Sequence, residues 1–151
     1  MSIELKPAII FDIDNVLTRL DNFDRHQDKT DYVWFGEMLL QMNPQPWSTA
    51  IVQGLEATGI RVIFLTARNE DFRANTVTWL KRHLKVRNFK LLMRRAVPPD
   101  NRADWEVKKE LYMEKIYGKY TVLCAFDDKE ENINMYRDLG IVALHNIDGK
   151  F

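Results

Sequence analysis

Short apolar runs alternate with helical stretches along this 151-residue chain, and that alternation limits the fold more than any other feature. Residues 7–13, 61–66, 89–93, 120–126 and 141–144 read as buried strands, being brief and rich in Ile, Val, Leu and Phe. Helices are expected over about 47–57, 70–84, 103–116 and 129–138, with Gly59 and Gly140 as stop signals. Strands that alternate with helices form a parallel sheet covered on both faces, so the expected fold is a three-layer α/β sandwich in one domain. Residues 18–45 interrupt the pattern. This stretch is polar and too long for a strand-to-helix turn, so it reads as a small insertion or lid with a short helix near 34–40. Its Tyr32, Trp34 and Phe35 either stack a base or form the insertion's own core.

Charge excludes little. Acidic and basic side chains balance at 22 each, so no global field points to nucleic acid or to a membrane surface. Residues 81–95 hold Lys81, Arg82, Lys85, Arg87, Lys90, Arg94 and Arg95 without an acid, which reads first as a solvated face. The one cysteine, Cys124, sits in an apolar run and is expected as a buried small side chain. His26, His83 and His145 are scattered and suggest no metal cluster. With no secretory segment and no membrane-length apolar run, a cytoplasmic location is expected.

The polar residues gather where the strands end. Asp12 and Asp14 close the first strand, Thr66 the second, and Asp127-Asp128 the fourth. In open parallel sheets ligands bind beyond those carboxyl ends. Asp12 and Asp14, two apart on a strand, begin on one face. Carboxylates that close repel each other unless a cation or shared proton relieves them, and a hard ion such as Mg²⁺ suits an all-oxygen set. The combination fits phosphoryl transfer. An ionised Asp12 can attack phosphorus, and Asp14 can serve as general acid and then as base. Mg²⁺ bridging Asp12, an acid of the Asp127-Asp128 pair and the phosphate would meet the developing charge. Thr66 and the acidic pair have blander readings as helix caps, and the acidic pair can do both.

Phe11-Asp12-Ile13-Asp14-Asn15-Val16 resembles the first motif of the haloacid dehalogenase (HAD) superfamily. Thr66, Lys108 and Asp127-Asp128 match its second, lysine and acidic motifs, in order and in the expected settings. Residues 100–110, 125–128, 135–141 and 148–151 are further similar to the phosphatase domain of phage polynucleotide kinase-phosphatase. The resemblance implies an Mg²⁺-dependent phosphatase that removes 3′-phosphates from nucleic-acid ends or nucleotides through an aspartyl-phosphate. It implies Asp12 as nucleophile, Asp14 as acid/base, and Thr66 and Lys108 as phosphate contacts. It further implies a metal held by Asp12, the Asp14 backbone carbonyl, Asp127 and Asp128. Arg68 and Asp104 match further active-site positions. Asp104 is expected to orient Lys108 from four residues away, the alternative being a solvent salt bridge.

The chain also departs from that pattern. It has no Gly-x-x-x-x-Gly-Lys-Ser/Thr stretch, so no separate kinase domain is expected in it. Asn15-Val16 replaces the common Gly-Thr, and an arginine expected early in the insertion is Phe23, with Arg25 nearest. A small-molecule nucleotidase or sugar phosphatase is the competing enzyme reading. A catalytically inactive nucleic-acid-binding module is opposed by the intact first motif. A phosphate-accepting receiver domain is rejected, because the third strand ends in Met93-Arg94 with no acceptor Asp.

Overall fold

The computed structural model describes residues 3–19 and 32–147, and of the side chains those outside 32–34. Phe23, Arg25 and His26, the side chains of Tyr32 and Trp34, and residues 148–151 lie outside the described residues. Five parallel strands form the sheet: β1 (Lys6–Phe11), β4 (Arg61–Asn69), β5 (Phe89–Arg94), β6 (Tyr120–Asp127) and β7 (Ala143–His145). Their order across it is β5-β4-β1-β6-β7. The chain runs outward from β1 through β4 to β5, then returns to the other side of β1 for β6 and β7. The switch in direction leaves a crevice above the carboxyl end of β1, between β4 and β6.

Alternation along the strands sorts the core into two faces. Ile9, Phe11, Val62, Phe64, Leu91 and Met93 point to one side. There they meet α1 (Tyr32–Gln41), α2 (Pro46–Leu55) and α3 (Arg73–Leu84). Ala8, Ile10, Ile63, Leu65, Leu92 and Ala125 point to the other, against α4 (Asp104–Lys115) and α5 (Glu130–Asp138). The two-residue strands β2 (Thr18–Arg19) and β3 (Asn43–Pro44) pair antiparallel and draw the ends of the insertion together. Cys124 is half-buried rather than buried, because β6 lies towards the thinly covered β7 edge.

The first strand stops two residues before its expected end. After Phe11 the chain turns: Leu17 N–H and Thr18 N–H both bond the Ile13 carbonyl, at 2.8 and 3.1 Å. Ile13, Val16 and Leu17 are fully buried at helical spacing, and burying all three curls the backbone off the strand. Asn15 takes a left-handed φ of 62°, which its short polar side chain tolerates better than most. The second strand instead runs on to Asn69, with its register to β5 interrupted between Leu65 and Asn69. Arg94 Nε donates to the Ala67 carbonyl at 3.0 Å in that gap. The expected 70–84 helix begins as a 3-10 turn, Glu70–Phe72, before α3.

The insertion helix α1 is docked, not free. Leu39 and the following Met42 are buried in the core. Asn75 Nδ2 donates to the Gly36 carbonyl at 3.0 Å, and Trp79 Nε1 to the Met42 carbonyl at 2.8 Å. A Cβ at Gly36 would meet Asn75 at 3.2 Å, so glycine permits the close approach of α1 to α3. Trp79 is fully buried. Trp79→Phe leaves the Met42 carbonyl unpaired and the site underfilled, and is expected to cost about 2 kcal/mol in thermal or urea unfolding.

Candidate active site

A cleft of about 440 Å³ opens at the crevice above β1. Asp12, Asp14, Thr66, Arg68, Asp104, Lys108 and Asp128 all line it. Asp127 lies directly behind, at the end of β6 and fully buried.

Asp12 follows the last residue of the central strand, and its N–H bonds the Phe126 carbonyl at 2.9 Å, which fixes its backbone to β6. One carboxylate oxygen, Oδ1, lies 3.0 Å from Lys108 Nζ. The same ammonium donates to Asp127 Oδ2 at 2.6 Å. Lys108 is only 1% exposed, so this two-carboxylate clamp is dry. Burial alone would lower the Lys108 pKa, but Asp12 and Asp127 outweigh it and hold the proton more firmly than on a free lysine. Burial raises the Asp12 carboxyl well above the carboxylate range; Lys108 opposes the rise, and Asp127, Asp14 and Asp128 add to it.

The acidic pair divides its tasks. Asp127 is saturated: besides Lys108, its Oδ1 accepts from Lys129 N–H at 3.1 Å and from Asn132 Nδ2 at 3.0 Å. It therefore ties the turn into α5, and Asn132 on that helix, while holding the lysine. Asp128 is half-buried and accepts from Asn15 Nδ2 at 3.0 Å through Oδ2. Burial, above all, raises its carboxyl, while the Asn15 bond works against the rise. Oxygens of Asp12, Asp127 and Asp128 lie within 4.8 Å of one another. Three carboxylates against one ammonium leave excess negative charge in a buried space, and an all-oxygen donor set of this kind fits Mg²⁺.

Two expected contacts form differently. Asp104 does not orient Lys108. Its carboxylate accepts from Arg94 Nη2 at 2.6 Å and from Lys129 Nζ, while Lys108 turns inward to the carboxylates at the sheet end. Arg94 also donates to the Asp100 and Arg102 carbonyls, so it ties the loop before α4 rather than presenting a cation to solvent. Arg68 is buried. Its guanidinium grips Asp14, with Nη2 to Oδ1 at 2.6 Å and Nε to Oδ2 at 3.0 Å, and its Nη1 donates to Thr76 Oγ1 at 3.2 Å. Asp14 thus stands in a turn across from Arg68, not on a strand face beside Asp12. Thr66 is buried at the cleft wall, where its Oγ1 accepts from Arg68 N–H at 3.2 Å.

Lys129 and Asn132 line the cleft outside the motifs, and Asn15, inside the first motif, acquires a partner in Asp128 that its motif does not announce. Asn132 carried a signal: it is a polar residue on the buried side of an otherwise apolar helix face, beside Ile133 and Tyr136.

The model of the polynucleotide kinase PNKP phosphatase domain family matches residues 6–151. The chain belongs to that family. It is a HAD-type phosphatase domain, a hydrolase of phosphoric monoesters. A chain of the Pnkp1/Rnl/Hen1 RNA repair complex is 28% identical with a TM-score of 0.81, covering 97% of this chain and 44% of that one. In a second structure of that complex the figures are 27%, 0.82, 99% and 49%. A putative bifunctional polynucleotide kinase/RNA ligase of Autographa californica nuclear polyhedrosis virus is 30% identical over 87 residues, 57% of this chain and 12% of that protein. The phosphatase domain thus spans less than half the length of these relatives. The class C acid phosphatase of Bacillus anthracis, at 15% identity and a TM-score of 0.60, shares the fold. Among the described residues no helix is long and apolar enough to cross a membrane.

Proposed function

We propose that this domain removes a 3′-phosphate from a polynucleotide end or a nucleotide, in two steps through an aspartyl-phosphate on Asp12. The observation that carries the reading is the position of Asp12: buried at the tip of the central strand, on the cleft wall, with one oxygen held by Lys108. That hold orients the second oxygen for attack. In the first step it bonds phosphorus as the phosphorus–oxygen bond to the substrate breaks, and Asp14 delivers a proton to the departing oxygen. In the second step Asp14 takes a proton from water, whose oxygen attacks phosphorus and releases orthophosphate and Asp12. Arg68 aims Asp14 by gripping both its oxygens, and a bound phosphate competes for the same guanidinium. Lys108 and Thr66 line the cleft and would meet phosphate oxygens in this reading.

Asp12 and Asp128 would hold Mg²⁺, with the Asp14 backbone carbonyl as a further ligand. Asp127, whose oxygens are both engaged, supports from behind. The ion supplies charge to neutralise the transferring phosphoryl group. Buried Asn132 Oδ1, which has no hydrogen-bond partner among the described residues, suits a water in such an ion's shell. Asp128→Asn is therefore expected to raise the Mg²⁺ concentration needed for half-maximal activity about tenfold, measured by metal titration of phosphate release.

The substrate reading is tested by comparing kcat/KM, in Mg²⁺, for an oligonucleotide 3′-phosphate, its 5′-phosphorylated counterpart, 5′-nucleotides and sugar phosphates. The 3′-phosphorylated end is expected to be preferred. A preference for a sugar phosphate overturns the reading.

A further inference from the structure

One wall of the cleft takes no part in the phosphate chemistry. It is built by Phe35 of α1 and Phe72 of the 3-10 turn, with Asn69 also in the lining. The two rings meet edge to face, centroids 4.8 Å apart and planes at 66°. Phe72 is buried, whereas Phe35 is half-buried and lines the cleft with what remains. An aromatic surface in the lining of a cleft rich in charged side chains has no use for phosphate. It suits a planar, apolar part of the substrate, because offset and edge contacts between rings add to area burial. The wall is also held in place: the Asn75–Gly36 bond, one residue after Phe35, and the Trp79–Met42 bond just beyond α1 tie this helix to α3. A preorganised ring loses little freedom when it stacks a ligand.

We propose that Phe35, backed by Phe72, stacks the nucleobase of the substrate while the phosphate lies at Asp12. The proposal rests on the polynucleotide or nucleotide reading above and gives it a means of refusing sugar phosphates, which offer no planar ring. The test compares wild type, Phe35→Ala and Phe35→Tyr with a 3′-phosphorylated oligonucleotide as substrate and orthophosphate as competitive product inhibitor. Phe35→Ala is expected to raise KM for the oligonucleotide about tenfold with kcat within about twofold, leaving the orthophosphate Ki unchanged. Phe35→Tyr restores KM. An unchanged KM overturns the proposal, and so does an equal rise in KM and the orthophosphate Ki, which would make Phe35 a mere support of cleft shape. A wild-type enzyme that ignores the oligonucleotide but hydrolyses other phosphomonoesters overturns the substrate reading itself, before any variant is compared.

Discussion

Asp12→Asn is expected to lower phosphate release by at least about a thousandfold while leaving the protein folded. The amide is nearly isosteric, so the cleft keeps its shape, but an amide oxygen is a poor nucleophile and cannot form the acyl phosphate. The effect on stability is small for a reason visible in the site. Asp12 lies near Asp127, Asp14 and Asp128, and Lys108 is the cation that offsets its charge most. Neutralising it removes repulsion with three carboxylates and keeps Lys108 on Asp127 at 2.6 Å. The melting temperature without metal is therefore expected to stay within a few degrees of wild type. The check is single-turnover hydrolysis of a 3′-phosphorylated oligonucleotide and of an aryl phosphate, with circular dichroism as the control for folding. Full activity in the variant would falsify the aspartyl-phosphate mechanism.

Where a property depended on local pattern, the chain announced it. Apolar runs bounded by Gly and Pro set the strands and helices, and the parity of Ile9 and Phe11 against Ala8 and Ile10 divided the core. The carboxyl ends of β1 and β6 gathered Asp12 and Asp127 at one edge for the same reason, with Thr66 beside them where the β4–β5 register breaks. What local pattern concealed was which partner each charge takes. Asp104 and Lys108 are neighbours on α4, yet burial decides otherwise: Lys108 lies under the sheet edge, where two carboxylates from β1 and β6 are the nearest anions. Asp104, nearer the surface, takes Arg94 and Lys129. Arg68 follows the same logic with Asp14, a partner supplied by a turn that the strand-like reading of Ile13 had erased. Register and turn geometry are tertiary outcomes, set by which apolar side chains reach the core, and no spacing rule along the chain contains them.

Lys108→Met should be costly twice over. The ammonium is 1% exposed and forms the counter-charge for Asp12 and Asp127. Met fills similar volume, but it leaves the buried carboxylates of Asp12 and Asp127 facing each other without the ammonium between them. Removing one member of a buried ionic cluster typically costs about 3–5 kcal/mol, which for a domain of this size lowers the melting temperature by roughly 10 °C. Activity is expected to fall by a hundredfold or more, since the proposed mechanism sets this charge beside the transferring phosphoryl group. Mg²⁺ separates the two effects. An ion bound by the carboxylates stabilises the folded state in proportion to its saturation, so added Mg²⁺ should raise the variant's melting temperature more than the wild type's without restoring turnover. The sign with pH follows from the carboxyl groups. In the metal-free wild type Asp12 and Asp128 stand above the ordinary carboxyl value of 3.8, so the folded state holds more protons than the unfolded one above that pH. Stability from those two groups is consequently lost as pH rises through their raised values. Without Lys108 to oppose it, that loss should steepen in the variant, and saturating Mg²⁺ should flatten it in both proteins. Thermal melts across pH, with and without Mg²⁺, measure this directly. A variant as stable as wild type in chelator at neutral pH would show that Lys108 does not neutralise the cluster.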